Sequence, residues 1–133
     1  MKATIFYVIV IVVRIFKNTW FARFASKEGI LDGELTEAVE RLEKGQADAN
    51  LGGGVFKVRI ARPGEGKSGG YRVIVFFRSE ERTFFHYGFA KADRDNISEG
   101  ELKIMKKQAK KRFAQSDEQI NRQLANGTLL EIN

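Results

Sequence analysis

Hydrophobic residues recur with two different periods along this chain, and the places where the period changes mark its elements. Ala3 to Val13 is an almost unbroken apolar run rich in β-branched residues. It suits a long first strand ending near Phe16, or else a non-native extension whose true start lies near Val13. Asn18 then caps a helix with Trp20, Phe21, Phe24 and Ala25 on one side, and Gly29 stops it. In the next stretch Leu35, Ala38, Val39 and Leu42 fall at i, i+3, i+4 and i+7, while Glu34, Glu37, Glu40 and Glu43 lie elsewhere on the surface and Gly45 follows the end. The two segments predict a helical hairpin with an acidic outer side.

Gly52-Gly53-Gly54 closes the helical part, and three strand-like runs follow: Val55 to Ala61, Tyr71 to Arg78, and Arg82 to Phe89. In the first, Phe56, Val58 and Ile60 point one way and Lys57 and Arg59 the other, the alternation of a half-buried strand with a basic outer face. The second is apolar on both sides in its middle and is expected at the centre of a sheet. Ser79-Glu80-Glu81 joins it to the third as a short hairpin turn. The helical period then returns. Ser98 and Glu101 are spaced as a capping box ahead of an apolar stripe of Leu102, Met105, Ala109 and Phe113. Ser116 and Gln119 repeat the box for a last short helix carrying Ile120 and Leu124, closed by Asn126-Gly127, and Thr128 to Asn133 can form a final extended segment. With no internal repeat and no low-complexity linker, the economical reading is a single α+β domain over residues 14–133 in the order β-α-α-β-β-β-α-α, preceded by the apolar extension 1–13.

Composition narrows the possibilities. A chain of 133 residues with 43% apolar content can bury one sizeable core but hardly two. A formal charge of +6 and an isoelectric point near 9.7 call for an acidic partner, whether nucleic acid, an anionic membrane surface or an acidic protein. The absence of cysteine removes disulfides, thiol catalysis and cysteine-bound zinc, and is compatible with a reducing cytoplasm. A single histidine, His86, limits metal chemistry, which usually draws on several such ligands. The N-terminal run falls short of the roughly 20 apolar residues that span a bilayer, and no small-x-small cleavage site follows it before Arg14 and Lys17.

The charge is segregated. Lys57, Arg59, Arg62, Lys67, Arg72 and Arg78 against Glu65 give residues 55–78 a net +5, whereas residues 28–44 sum to −4. Cations interspersed with Tyr71 and other aromatics suit a nucleic-acid strand, because cations neutralise phosphates and ring faces stack on unpaired bases; a basic strand that merely stays solvated fits equally well. Ala61 to Ser68 literally fits a loose phosphate-loop pattern. Such a loop must open a helix whose N–H groups face the phosphates, and Gly69-Gly70 leads here into an aromatic β run, so a flexible hairpin turn is the expectation and no nucleotide cofactor is implied. Lys103, Lys106, Lys107, Lys110, Lys111 and Arg112 crowd the helix that carries the Leu102 to Phe113 stripe, as a solvated face or an extension of an RNA contact.

If RNA is cleaved, catalysis by two histidines is impossible and the work falls to Lys and Arg side chains, with His86 and Tyr87 as further candidates. Crowded cations lower a lysine's affinity for its proton, so that it can accept one from a ribose 2′-hydroxyl, and neighbouring arginines stabilise the phosphate as it becomes five-coordinate. Lys57 is the candidate base, with Arg59 and Arg72 as phosphate binders.

The run from Leu51 through Lys57, Arg59 and Gly-Lys-Ser-Gly-Gly-Tyr71-Arg72, followed by Phe85-His-Tyr-Gly-Phe-Ala-Lys91, resembles the RelE/HigB-like toxins of bacterial type II toxin–antitoxin systems. The likeness extends to the segment from Arg14 to Ala25 and to Leu129-Leu-Glu-Ile, and so covers about residues 14–133. It implies a small antiparallel-rich sheet with helices on one face and an RNA surface on the other, a cytoplasmic toxin neutralised by a cognate antitoxin, and metal-independent cleavage of mRNA, usually on the ribosome. It further implies active groups at Lys57, Arg59, Arg72 and Lys91, with Arg94 as an additional candidate, while the basic and aromatic pattern read above offers Arg62, Lys67, Tyr71, His86 and Tyr87 for RNA contacts. The chain departs from some members in having no tyrosine after Tyr87. Relatives of ParE type act on gyrase instead, and a non-catalytic RNA-binding module would share the same basic surface.

Overall fold

The computed structural model describes residues 13–62 and 66–133. The apolar extension therefore lies, but for Val13, outside the described residues. Strand β1 (Ile15–Asn18) passes directly into helix α1 (Thr19–Glu28) because Asn18 does two jobs. Its backbone is extended, and its side-chain Oδ1 accepts the N–H of Phe21 at 2.7 Å, satisfying one of the donors that a helix start leaves open. Gly29 ends α1 in the left-handed conformation, and α2 (Asp32–Glu43) follows with Leu35, Ala38, Val39 and Leu42 buried, as their spacing predicted. A short strand β2 (Ala49–Gly52), which the sequence pattern did not indicate, then turns through Gly52, Gly53 and Gly54, all at positive φ, into β3 (Val55–Arg62).

β4 (Gly66–Phe76), β5 (Thr83–Ala90), α3 (Glu99–Ala114), α4 (Asp117–Asn126) and β6 (Leu129–Ile132) complete the chain. Gly66 to Gly70, expected as a flexible turn, belongs to β4. A strand therefore runs where a phosphate loop would require a helix. Both capping boxes are formed, with Glu101 and Gln119 each returning a side-chain bond to the N-cap backbone. Among the described residues the strands make one sheet in the order β2-β3-β4-β5-β1-β6, antiparallel except where β1 runs parallel to β5.

The α+β class stands as read, and the expected order β-α-α-β-β-β-α-α gains β2 ahead of its middle strands and β6 after its last helix. The helices, however, are divided between the two faces of the sheet instead of gathered on one. α1 and α2 cover Val58, Ile60, Tyr71, Val73, Val75 and Phe85. α3 and α4 place Met105, Ala109 and Ile120 against Phe16, Val55, Ile74, Phe76 and Phe84 on the other side. Alternate residues of the central strands thus feed two cores, which is why the middle of β4 is apolar at every position.

Candidate functional site

Register decides which cations meet. Arg59 of β3 stands directly opposite Arg72 of β4, which stands opposite Phe89 of β5; one step along, Lys57 faces Ile74, which faces Tyr87. Directly paired residues project from the same side of a sheet with Cβ atoms roughly 5 Å apart, so Lys57, Arg59, Arg72, Tyr87 and Phe89 share one face. It is the face that α3 and α4 cover further along. Tyr87 reaches it through a β-bulge: Ile74 pairs with Tyr87 but Val75 pairs with Phe85, leaving His86 as the extra residue. Simple alternation would have put Tyr87 with Phe85 under α1.

The cations on this face differ in how firmly they are held. Lys57 is half-buried, its ammonium 3.5 Å from Asn96 Oδ1. Arg59 is exposed and lies 3.4 Å from Asp48 Oδ1, while its backbone N–H donates to Asp48 Oδ2. Arg72 forms the floor, only 5% exposed and engaged within the chain. Lys91 follows β5 on the surface, with its backbone N–H donating to Gly70 O at 3.1 Å.

Arg94 is the most constrained of the five. It donates to Asn96 O at 2.7 Å, to the Tyr87 hydroxyl at 3.3 Å and to Glu101, and its guanidinium sits 5.9 Å and 5.6 Å over the Tyr87 and Phe89 rings. The Arg94 hydrogen bond, helped by the Ser98 backbone N–H, holds the Glu101 carboxyl down to about 2. The same bond from Glu101 raises Arg94 above its ordinary value.

The remaining candidates lie elsewhere. Tyr71 is 2% exposed on the α1 side, donating its hydroxyl to Glu28 Oε2 at 3.0 Å and receiving the edge of Phe24, so neither ring face is open to a base. Arg62 sits 5.8 Å over that ring and shares its side of the sheet. Lys67 belongs to β4.

His86 lines a separate cavity of about 520 Å³ with Phe76, Gln108, Lys111, Arg112 and Gln119, its ring stacked 4.5 Å from Phe76. Because Asn18 Oδ1 is committed to capping α1, its Nδ2 faces His86 Nδ1 at 3.3 Å as a donor, which leaves the imidazole proton on Nε2. Burial, reinforced by Arg112, lowers His86 to about 4. The ring thus lines a cavity whose walls include neither Lys57 nor Arg59.

Residues 13–132 match the family model described as the RelE toxin of the RelE/RelB toxin–antitoxin system. The chain belongs to the RelE toxin family. It is therefore the toxin of a toxin–antitoxin system, and family membership implies an antitoxin partner. No curated protein and no solved structure matches it. Among the described residues, the six-stranded, mostly antiparallel sheet with four helices fits a RelE toxin. Among the described residues no group of three or more His, Cys, Asp or Glu side chains is placed to hold a metal ion, and no helix is long and apolar enough to cross a membrane.

Three residues at the site carried no sequence signal of a role there. Asp48 and Asn96 come from the segments before β2 and before α3, and only the fold brings them to Arg59 and Lys57. Trp20 read as a core residue of α1, yet it is 46% exposed and stacks 4.6 Å from Tyr87 at the border of the cationic face.

Proposed function

We propose that this RelE-family toxin is a ribosome-dependent mRNA endoribonuclease whose site is the face shared by Lys57, Arg59 and Arg72, with Lys91 at the end of β5 as its rim. The observation that carries the reading is the pair of in-register rows, Arg59–Arg72–Phe89 and Lys57–Ile74–Tyr87, which gathers cations and aromatic rings on one side of three adjacent strands. In this reading Lys57 takes the proton of the ribose 2′-hydroxyl, whose oxygen attacks the neighbouring phosphorus; the P–O5′ bond then breaks, leaving a 2′,3′-cyclic phosphate and a 5′-oxygen that takes a proton from solvent to become a hydroxyl. Arg59 and Lys91 grip the phosphate oxygens from the rim, and Arg72 supplies positive charge from beneath as the phosphorane forms. Arg94 frames the site by fixing Tyr87.

The test is induction of the toxin in growing cells, with sequencing of RNA ends. Wild type is expected to arrest growth and cut messages at positions in phase with the reading frame, and the double variant Lys57→Ala, Arg72→Ala to relieve both. Since Arg72 is buried, Lys57→Ala alone is the cleaner variant: it removes only a long contact to Asn96 and leaves the fold intact. Undiminished toxicity in both variants removes the proposed site. DNA damage with intact messages would instead identify a gyrase-directed toxin, and uncut RNA bound beside ribosomes a binding module without catalysis.

A further inference from the structure

Resting on the RNA reading above, we propose that an unpaired base of the bound strand packs against the indole of Trp20, making this residue a positioning element for the substrate. Trp20 is the one aromatic among the large apolar side chains that the described fold leaves exposed; the others are Leu31, Ile104 and Leu130. Leaving nearly half an indole in water forgoes burial that a ring of this size normally finds. Nor is the side chain loose. Stacking 4.6 Å from Tyr87 and 5.4 Å from Phe24 holds it in place at the start of α1, where the first helical turn carries no acidic residue to repel a phosphate.

Its neighbours supply the complementary charge. Arg94 donates to the Tyr87 hydroxyl on which Trp20 stacks, and Tyr87 stands in register with Ile74 and then Lys57, two strand spacings or about 10 Å away. An aromatic surface bordered by cations in this way fits a strand whose phosphates lie over Lys57 and Arg59 while a base turns outward onto the rings. Ring stacking tolerates any base, because every base has a π-face. Trp20 therefore contributes grip and placement, and not sequence preference.

Trp20 is the only tryptophan in the chain, so its emission reports directly on what touches it. The wild-type protein is titrated at low salt with a single-stranded RNA heptamer carrying 2′-O-methyl riboses, which cannot be cut, and with a ribose-phosphate heptamer lacking bases. Binding is followed independently by anisotropy of end-labelled oligomers. The base-bearing oligomer is expected to quench Trp20 emission and the abasic one to bind without quenching. Trp20→Ala should weaken the base-bearing oligomer by roughly tenfold or more and leave the abasic one unchanged, while Trp20→Phe restores most of the difference. Binding without quenching, or equal affinity in Trp20→Ala, overturns the stacking proposal and leaves the RNA site standing. Binding of neither oligomer overturns the stacking proposal and leaves the cleavage reading to the sequencing of RNA ends, and an emission change only when purified antitoxin is added would reassign Trp20 to a protein interface.

Discussion

The tautomer of His86 leads to a measurable prediction about stability. Capping of α1 fixes the Asn18 amide, the amide presents a donor to Nδ1, and a second proton at Nδ1 would then face that donor in a cavity already bordered by Arg112. The folded protein accordingly resists protonation until about pH 4, whereas the unfolded chain takes up the proton near 6.5. Above 6.5 the ring is neutral in both states and its contribution to stability is complete. Between 6.5 and 4 the unfolded state binds more protons, so stability falls as the pH is lowered, and below 4 the loss levels off. At about 1.4 kcal/mol per pH unit the whole interval is worth roughly 3 kcal/mol, of which about 2 kcal/mol is lost between pH 7 and pH 5.

Urea unfolding at these two pH values measures the drop, and His86→Gln, which keeps a polar side chain but cannot titrate there, should abolish most of it. Because the chain has a single histidine, its ring protons give one titration curve by NMR. A midpoint near 6.5, or an undiminished drop in His86→Gln, would refute the reasoning.

Two further predictions concern the frame of the site. At Gly70 a β-carbon would lie 2.2 Å from Ile60 O and 2.8 Å from Arg62 N, both backbone atoms beside the β3–β4 irregularity, so Gly70→Ala should cost about 2 kcal/mol or more, read as a lower urea midpoint at an unchanged slope. Glu101, held low by Arg94, contributes stability that is present above about 4.5 and lost as the pH falls toward 2; Glu101→Gln should remove that acid limb from the unfolding profile and loosen Tyr87, detectable as a shift in Trp20 emission.

Much of this architecture was legible because local rules carry it. The caps at Asn18, Ser98 and Ser116, the stop at Gly29 and the stripe from Leu102 to Phe113 are decided within a few residues. The placement of Lys57 and Arg59 on one side of β3 likewise follows from period-two alternation. What escaped depends on register and on contacts distant in sequence. The bulge at His86 has no sequence mark, yet it turns Tyr87 toward Lys57 and leaves His86 beside Phe76. Tyr71 looked like a partner for RNA because it adjoins Arg72; adjacent strand residues point to opposite faces, and it serves the α1 core. Glycines at 66, 69 and 70 suggested a turn, although pairing with β3 extends β4 back to Gly66.

The resting protein also sets which of its cations can change partners. A phosphate arriving at Arg59 replaces one carboxylate oxygen at 3.4 Å, in an exposed contact of the kind worth under about 1 kcal/mol, so the exchange costs little. Lys57 gives up still less, an amide oxygen at 3.5 Å. Arg94 differs in kind: its donors are distributed over Asn96, Tyr87 and Glu101, and moving it would break its bond to the Glu101 carboxylate of the α3 capping box and release the Tyr87 ring on which Trp20 rests. Arg59 and Lys57 are thus the exchangeable ligands and Arg94 the fixed frame. If the proposed RNA site is right, salt should accordingly weaken binding through the first two while leaving the aromatic border in place.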